Sequence, residues 1–111
     1  MEAEADIVQR LKEKDAEAFG SLYNIYAPAL YRLIQKLTAD NSVAVIILEK
    51  SFLAFRLQIK YFDSGKDRLF TWMVRITIKK CKDLLWLTNE SVIQKLGLRN
   101  PSDRLFKPNG T

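Results

Sequence analysis

Histidine is missing from all 111 residues, and cysteine occurs once, as Cys81. The first absence excludes Ser-His and Cys-His catalytic arrangements, histidine metal sites and histidine acid-base chemistry. The second excludes an internal disulfide and a cysteine-rich zinc site, so a reducing, cytoplasmic compartment is the expectation. The four glycines, Gly20, Gly65, Gly97 and Gly110, are isolated, which leaves no glycine-rich phosphate loop. No apolar run approaches the ~20 residues that span a bilayer, the longest being Val43 to Leu48, and no stretch reads as a signal peptide. The carboxylates show no pairing suited to general acid-base work. These absences predict a non-enzymatic protein with no cofactor, no metal site and no membrane association.

What is present is an ordinary globular balance, 48% hydrophobic and 28% charged. A chain of this length buries roughly 65% of its unfolded surface, which supports one modest core. The formal net charge is +5, and it is unevenly spread. Up to Phe55 eight acids face six bases, a net of −2, whereas from Arg56 onward twelve bases face five acids, a net of +7. A basic half is suited to nucleic acid or another polyanion, and equally to a solvated lysine-rich surface.

Scarce Gly and Pro, and no strict period-2 alternation, predict an all-α fold: a compact bundle of about four helices with an irregular C-terminal tail. The helical domain is expected over 1–88 and the tail, or the start of a linker, over 89–111. Ile7, Val8 and Leu11 mark a short first helix. Asp15 is the expected N-cap of a second, with an apolar stripe through Phe19, Leu22, Tyr23, Tyr26, Leu30, Leu33 and Leu37 and a kink at Pro28. A third helix is predicted from about Ser42 to Ile59. Its β-branched run Val43–Ile47 also fits a strand, but Ala44, Leu48, Phe52, Phe55 and Ile59 hold one helical face. Tyr61 to Asp67 reads as a loop. A fourth helix is predicted from roughly Asp67 to Leu87, with Leu69, Met73, Ile76 and Leu84 toward the core and Cys81 as a small core residue. One weak helix fits Ser91 to Leu98.

Two faces stand out. On the fourth helix Arg68, Trp72, Arg75, Lys79, Lys82 and Trp86 recur at steps of three and four and fall within about 80° of one another. Cations interleaved with indoles suit a surface that neutralises phosphates and stacks on unpaired bases. The other reading puts Trp72 at the edge of the core, Trp86 against the tail and the cations in solvent. The preceding loop carries Tyr61, Phe62 and Lys66, able to receive a base or simply to cap the core. On the third helix Ile46, Glu49, Lys50, Leu53, Leu57 and Lys60 lie opposite the core stripe. An apolar patch there suggests a protein partner, a homodimer included, or an extra core layer beneath the tail.

The order of these features resembles a known family. Asp15-Ala16-Glu17-Ala18-Phe19-Gly20-Ser21-Leu22-Tyr23 and Tyr26-Ala27-Pro28-Ala29-Leu30-Tyr31-Arg32-Leu33 are similar to the opening of region 2 of bacterial sigma factors of the extracytoplasmic-function type. Phe52-Leu53-Ala54-Phe55-Arg56 resembles that region's second conserved helix. Phe62-Asp63, Thr71-Trp72-Met73-Val74-Arg75-Ile76 and Asp83-Leu84-Leu85 resemble its promoter-reading segment. The likeness runs from about Asp6 to Trp86. It implies a small helical domain that docks on the clamp helices of core RNA polymerase and holds the non-template single strand of the promoter minus-ten element. Phe62, Lys66, Arg68, Trp72, Arg75, Lys79, Lys82 and Trp86 would lie on the DNA side. Ile46, Glu49, Lys50, Leu53 and Leu57 would lie on the polymerase or partner side, and an anti-sigma protein is a further partner that the likeness admits. The chain departs from the family where Val45-Ile46 and Glu49-Lys50 replace an acidic pair and a Gln-Glu pair, and where Ile78-Lys79 replaces Arg-Asn. The region that reads the upstream promoter element has no counterpart after Trp86, so an excised domain and a naturally short relative are both open.

Overall fold

Five α-helices and one 3-10 turn make up the fold in a computed structural model that describes residues 4–98. They are α1 (Glu4–Lys12), α2 (Ala16–Gln35), α3 (Asn41–Gln58), a 3-10 turn (Ile59–Tyr61), α4 (Leu69–Leu85) and α5 (Asn89–Leu96). No strand occurs among the described residues, so the all-α expectation holds and the β-branched run at 43–47 is helical. No helix among them is long and apolar enough to cross a membrane. The polar tail expected from Asn100 to Thr111 lies outside the described residues.

Local chemistry sets most of the boundaries. Asp15 starts α2 as its N-cap, its carboxylate accepting from the amides of Glu17 at 3.0 Å and Ala18 at 3.3 Å. Asp40 does the same for α3 through the amides of Ser42 (2.9 Å) and Val43 (3.2 Å). Both satisfy donors that a helix start leaves without intrahelical acceptors. Thr88 caps α5 by accepting from the Ser91 amide at 3.1 Å. The first amide of α4, on Leu69, instead donates to the Glu4 carboxylate at 3.3 Å, so α1 helps to cap α4. α2 runs through Pro28 as one helix.

α3 lies at the centre, packed on α2 and α4. Ala44, Ile47, Leu48, Ser51, Ala54 and Phe55 form its buried face. The buried hydroxyls of Ser51 and Thr77 bond back to the carbonyls of Ile47 (2.7 Å) and Met73 (2.9 Å), so neither is left unsatisfied. In α2 the buried residues are Ala18, Leu22, Ala27, Leu30 and Ile34. The predicted stripe is therefore rotated by about one position: Phe19, Tyr26 and Leu33 sit at its margin and Tyr23 is exposed. Small Ala18 and Ala27 are buried, and Phe19 and Tyr26 pack against the core from its margin. α5 overlaps the weak helix expected at Ser91 to Leu98, beginning two residues earlier, and places Val92 in the core.

The Asp15 cap also predicts a pH dependence. A hydrogen bond from Arg10 (Nε to Oδ2, 3.0 Å) holds its carboxyl below the ordinary value, with the Ala18 and Glu17 amides adding to the effect. A carboxyl lowered on folding stabilises the fold above its unfolded pKa and loses that contribution as pH falls through the folded one. Asp15→Asn is expected to lower the urea midpoint near neutrality, and the gap from wild type should close in strong acid. A gap independent of pH would contradict this role.

Candidate nucleic-acid interface

α4 has neighbours around much of its circumference, and this decides which predicted residues reach solvent. Leu69, Trp72, Met73, Thr77, Ile78 and Cys81 are buried. This is a wider arc than the expected stripe: Thr77 and Ile78 are fully enclosed, Ile76 is only half-buried and Leu84 is exposed. Burial pushes the Cys81 thiol up to about 12, so it is a protonated core group at neutral pH.

Two residues expected on the DNA side belong to the core. Trp72 packs with Phe55 (ring centroids 5.8 Å apart) and with Phe62 (5.2 Å). The series continues from Phe55 to Phe52 at 4.9 Å and on to Tyr23 at 4.7 Å. Trp72 lies at the edge of the α4 cation face nearest to α3, and there an indole gains more by packing on rings than by facing water. Neither Trp72 nor Phe62 has a face free to stack on a base. The solvent-facing aromatic of this connection is Tyr61, 77% exposed, with the Lys60 ammonium 5.2 Å from its ring centre.

Arg75 is also drawn inward. Its Nη1 lies 2.7 Å from Oδ2 of Asp67, and both side chains are mostly buried. The same Asp67 accepts from the Arg68 amide at 2.9 Å. Asp63 winds the loop by accepting from the Gly65 amide at 2.8 Å, while its carbonyl accepts from the Lys66 and Asp67 amides. Arg75 thus pins the loop to α4. Its partner, eight residues earlier across a turn, left no helical-spacing signal in the sequence.

The remaining predicted residues share the outer side of α4 and its flanks. Lys66, Arg68 and Lys79 are exposed, and Lys82 is half-buried. Lys79 lies 3.6 Å from Asp83, an exposed pair of little energetic weight. Lys82 bonds to the Asn89 side chain at the start of α5. At the end of the row Trp86 is 92% exposed. It closes α4 in the left-handed region, φ 57° and ψ 40°, with its amide and that of Leu87 both bonding to the Lys82 carbonyl. α5 ends in the same conformation at Gly97 (φ 73°), where no Cβ is present to object. A bulky residue at such a cap is strained, and Trp86 gains almost no burial in return.

On the partner side, Ile46, Glu49, Lys50, Leu53 and Leu57 are all exposed, together with Val45. No family model matches this sequence, and no curated protein matches it.

The two tryptophans are expected to respond in opposite ways. Trp72→Ala should destabilise by roughly 3–5 kcal/mol through lost packing. Trp86→Gly should stabilise by roughly 0.5–1 kcal/mol through relief of the cap. Thermal melts of both variants beside the parent check this, and a large loss at position 86 would contradict the exposure described.

Proposed function

We propose that this chain is a sigma-factor-like transcription-initiation domain whose α4 face holds the non-template single strand of a promoter minus-ten element. The observation that carries the reading is Trp86, presented almost fully to solvent at the end of a row of cations and held there against backbone preference. A left-handed residue at a helix end is common, but a bulky one there carries strain, and strained residues cluster at ligand-contacting positions. An exposed indole offers a stacking plane to an unpaired base, and Arg68, Lys79 and Lys82 supply charge for the phosphates beside it. The order of segments resembling sigma region 2 supports the same assignment. On this reading the outward face of α3 is the side that meets the clamp helices of core RNA polymerase, with aliphatic groups where the family is polar.

The DNA side is smaller than the sequence suggested. Phe62 and Trp72 support the fold, and Arg75 orders the loop, which leaves Lys66, Arg68, Lys79, Lys82 and Trp86 as contacts.

The test is titration of a fluorescent single strand carrying minus-ten sequences, beside a scrambled strand, over a salt series. Three neutralised phosphates give an expected slope of log K against log salt near −2, from about −0.7 for each. Lys79→Glu with Lys82→Glu should weaken binding and flatten the slope. Trp86→Ala should weaken it by about tenfold or more, as expected for one stacked base. Binding that ignores salt and survives these substitutions would overturn the assignment.

A further inference from the structure

We propose that the outward face of α3 pairs two copies of this chain through an antiparallel, two-fold symmetric helix contact. The pairing uses the face that the transcription reading gives to polymerase, so a dimer and a docked form exclude one another; the test below needs neither DNA nor polymerase. Ile46, Leu53 and Leu57 are 48%, 57% and 61% exposed. With about 100° per residue, they lie within about 40° of one another along the helix. An aliphatic seam of this kind, on a helix otherwise rich in buried groups, loses water contact only if something covers it.

The charges beside the seam suit a second copy of this chain. Glu49 and Arg56 occupy one flank, within about 20° of each other and two turns apart, while Lys50 lies on the other flank. Glu49 forms no ion pair within the chain among the described residues. Arg56 is held on its flank by the Phe19 ring, 5.1 Å from the guanidinium carbon. When two copies face each other antiparallel, a two-fold axis lying across the helices brings the same flank of each copy together. Glu49 of one copy then meets Arg56 of the other, twice over, with the axis passing beside Leu53. A parallel arrangement would instead bring opposite flanks together, setting Glu49 against Lys50 of the other copy and leaving Arg56 facing no acid of α3.

The face is therefore self-complementary, as an isologous contact requires, and the antiparallel register is the one that gives Arg56 an acidic partner. The aliphatic seam supplies the drive and the paired charges supply the register. Exposed Tyr23, packed on Phe52 at 4.7 Å, extends the apolar surface along the Glu49 flank. One helix of 18 residues is a short contact, so the dimer belongs to the weak, reversible class.

Sedimentation equilibrium from micromolar to millimolar concentration tests the proposal. The parent chain is expected to dimerise reversibly, and Leu53→Asp to raise the dimer Kd by about tenfold or more. Glu49→Arg and Arg56→Glu should each weaken the dimer, and the double reversal should restore it, since it rebuilds both pairs with their signs exchanged. All three positions are exposed, and circular dichroism checks that the helices persist. A parent that stays monomeric throughout, a dimer indifferent to Leu53→Asp, or a double reversal that fails to recover would each overturn the proposal.

Discussion

The packing of α4 on α3 through the Phe62–Trp72–Phe55 rings decides which parts of both helices are left for solvent. Once Trp72 is seated against Phe55, α4 can turn neither its cation row inward nor its Leu69–Met73 side outward. Phe62, just after the 3-10 turn, is the residue that meets α4, while the turn itself packs on α1 and α3, and Ile59 and Phe62 are both buried. Ring-on-ring contacts at these separations add specific geometry to an already large apolar burial. The rotation of α4 is thereby fixed more firmly than a stripe of leucines would fix it.

The electrostatics of α4 follow from that rotation. Arg75 ends up near enough to the loop to pair with Asp67 in a mostly buried setting, where a lone guanidinium would be costly. A residue of the right type and spacing for phosphate contact becomes a brace for the loop instead. Arg68 and Lys79 keep their exposure and Lys82 reaches Asn89, so the basic character of the surface persists with fewer members. Trp86 is the counterweight to Trp72: one indole is placed by the core, the other by a helix end whose backbone conformation disfavours it.

The central position of α3 has a second consequence. A helix gripped by α2 and α4 still has an outer face, and here that face is aliphatic at Val45, Ile46, Leu53 and Leu57. Glu49, Lys50 and Arg56 keep the surface wettable at its edges. Three helix ends adopt left-handed backbone, at Lys14, Trp86 and Gly97, and only one of them uses glycine. At Lys14 the ammonium donates to the Arg56 carbonyl across the fold, whereas the strained Trp86 faces water.

Much of the fold was legible in the residue order. Asp15 at a helix start, the four-turn apolar face from Ala44 to Ile59 and the lack of period-2 alternation are local signals, and they predict helix because helix formation is itself local. The outward face of α3 was readable for the same reason, since residues opposite a buried stripe must point away from it. What only the tertiary structure decided were the margins. Periodicity places Trp72 and Trp86 on one stripe and cannot distinguish the one that borders α3 from the one beyond the last helical turn. It gives Arg75 no sign of Asp67, which meets it through the loop, and it assigns α2 a stripe of large rings where close packing prefers Ala18 and Ala27. A helix's own sequence determines its faces. Which neighbour covers each face depends on contacts between residues far apart in the chain, and there the burial of an aromatic ring outweighs its place in a charged pattern.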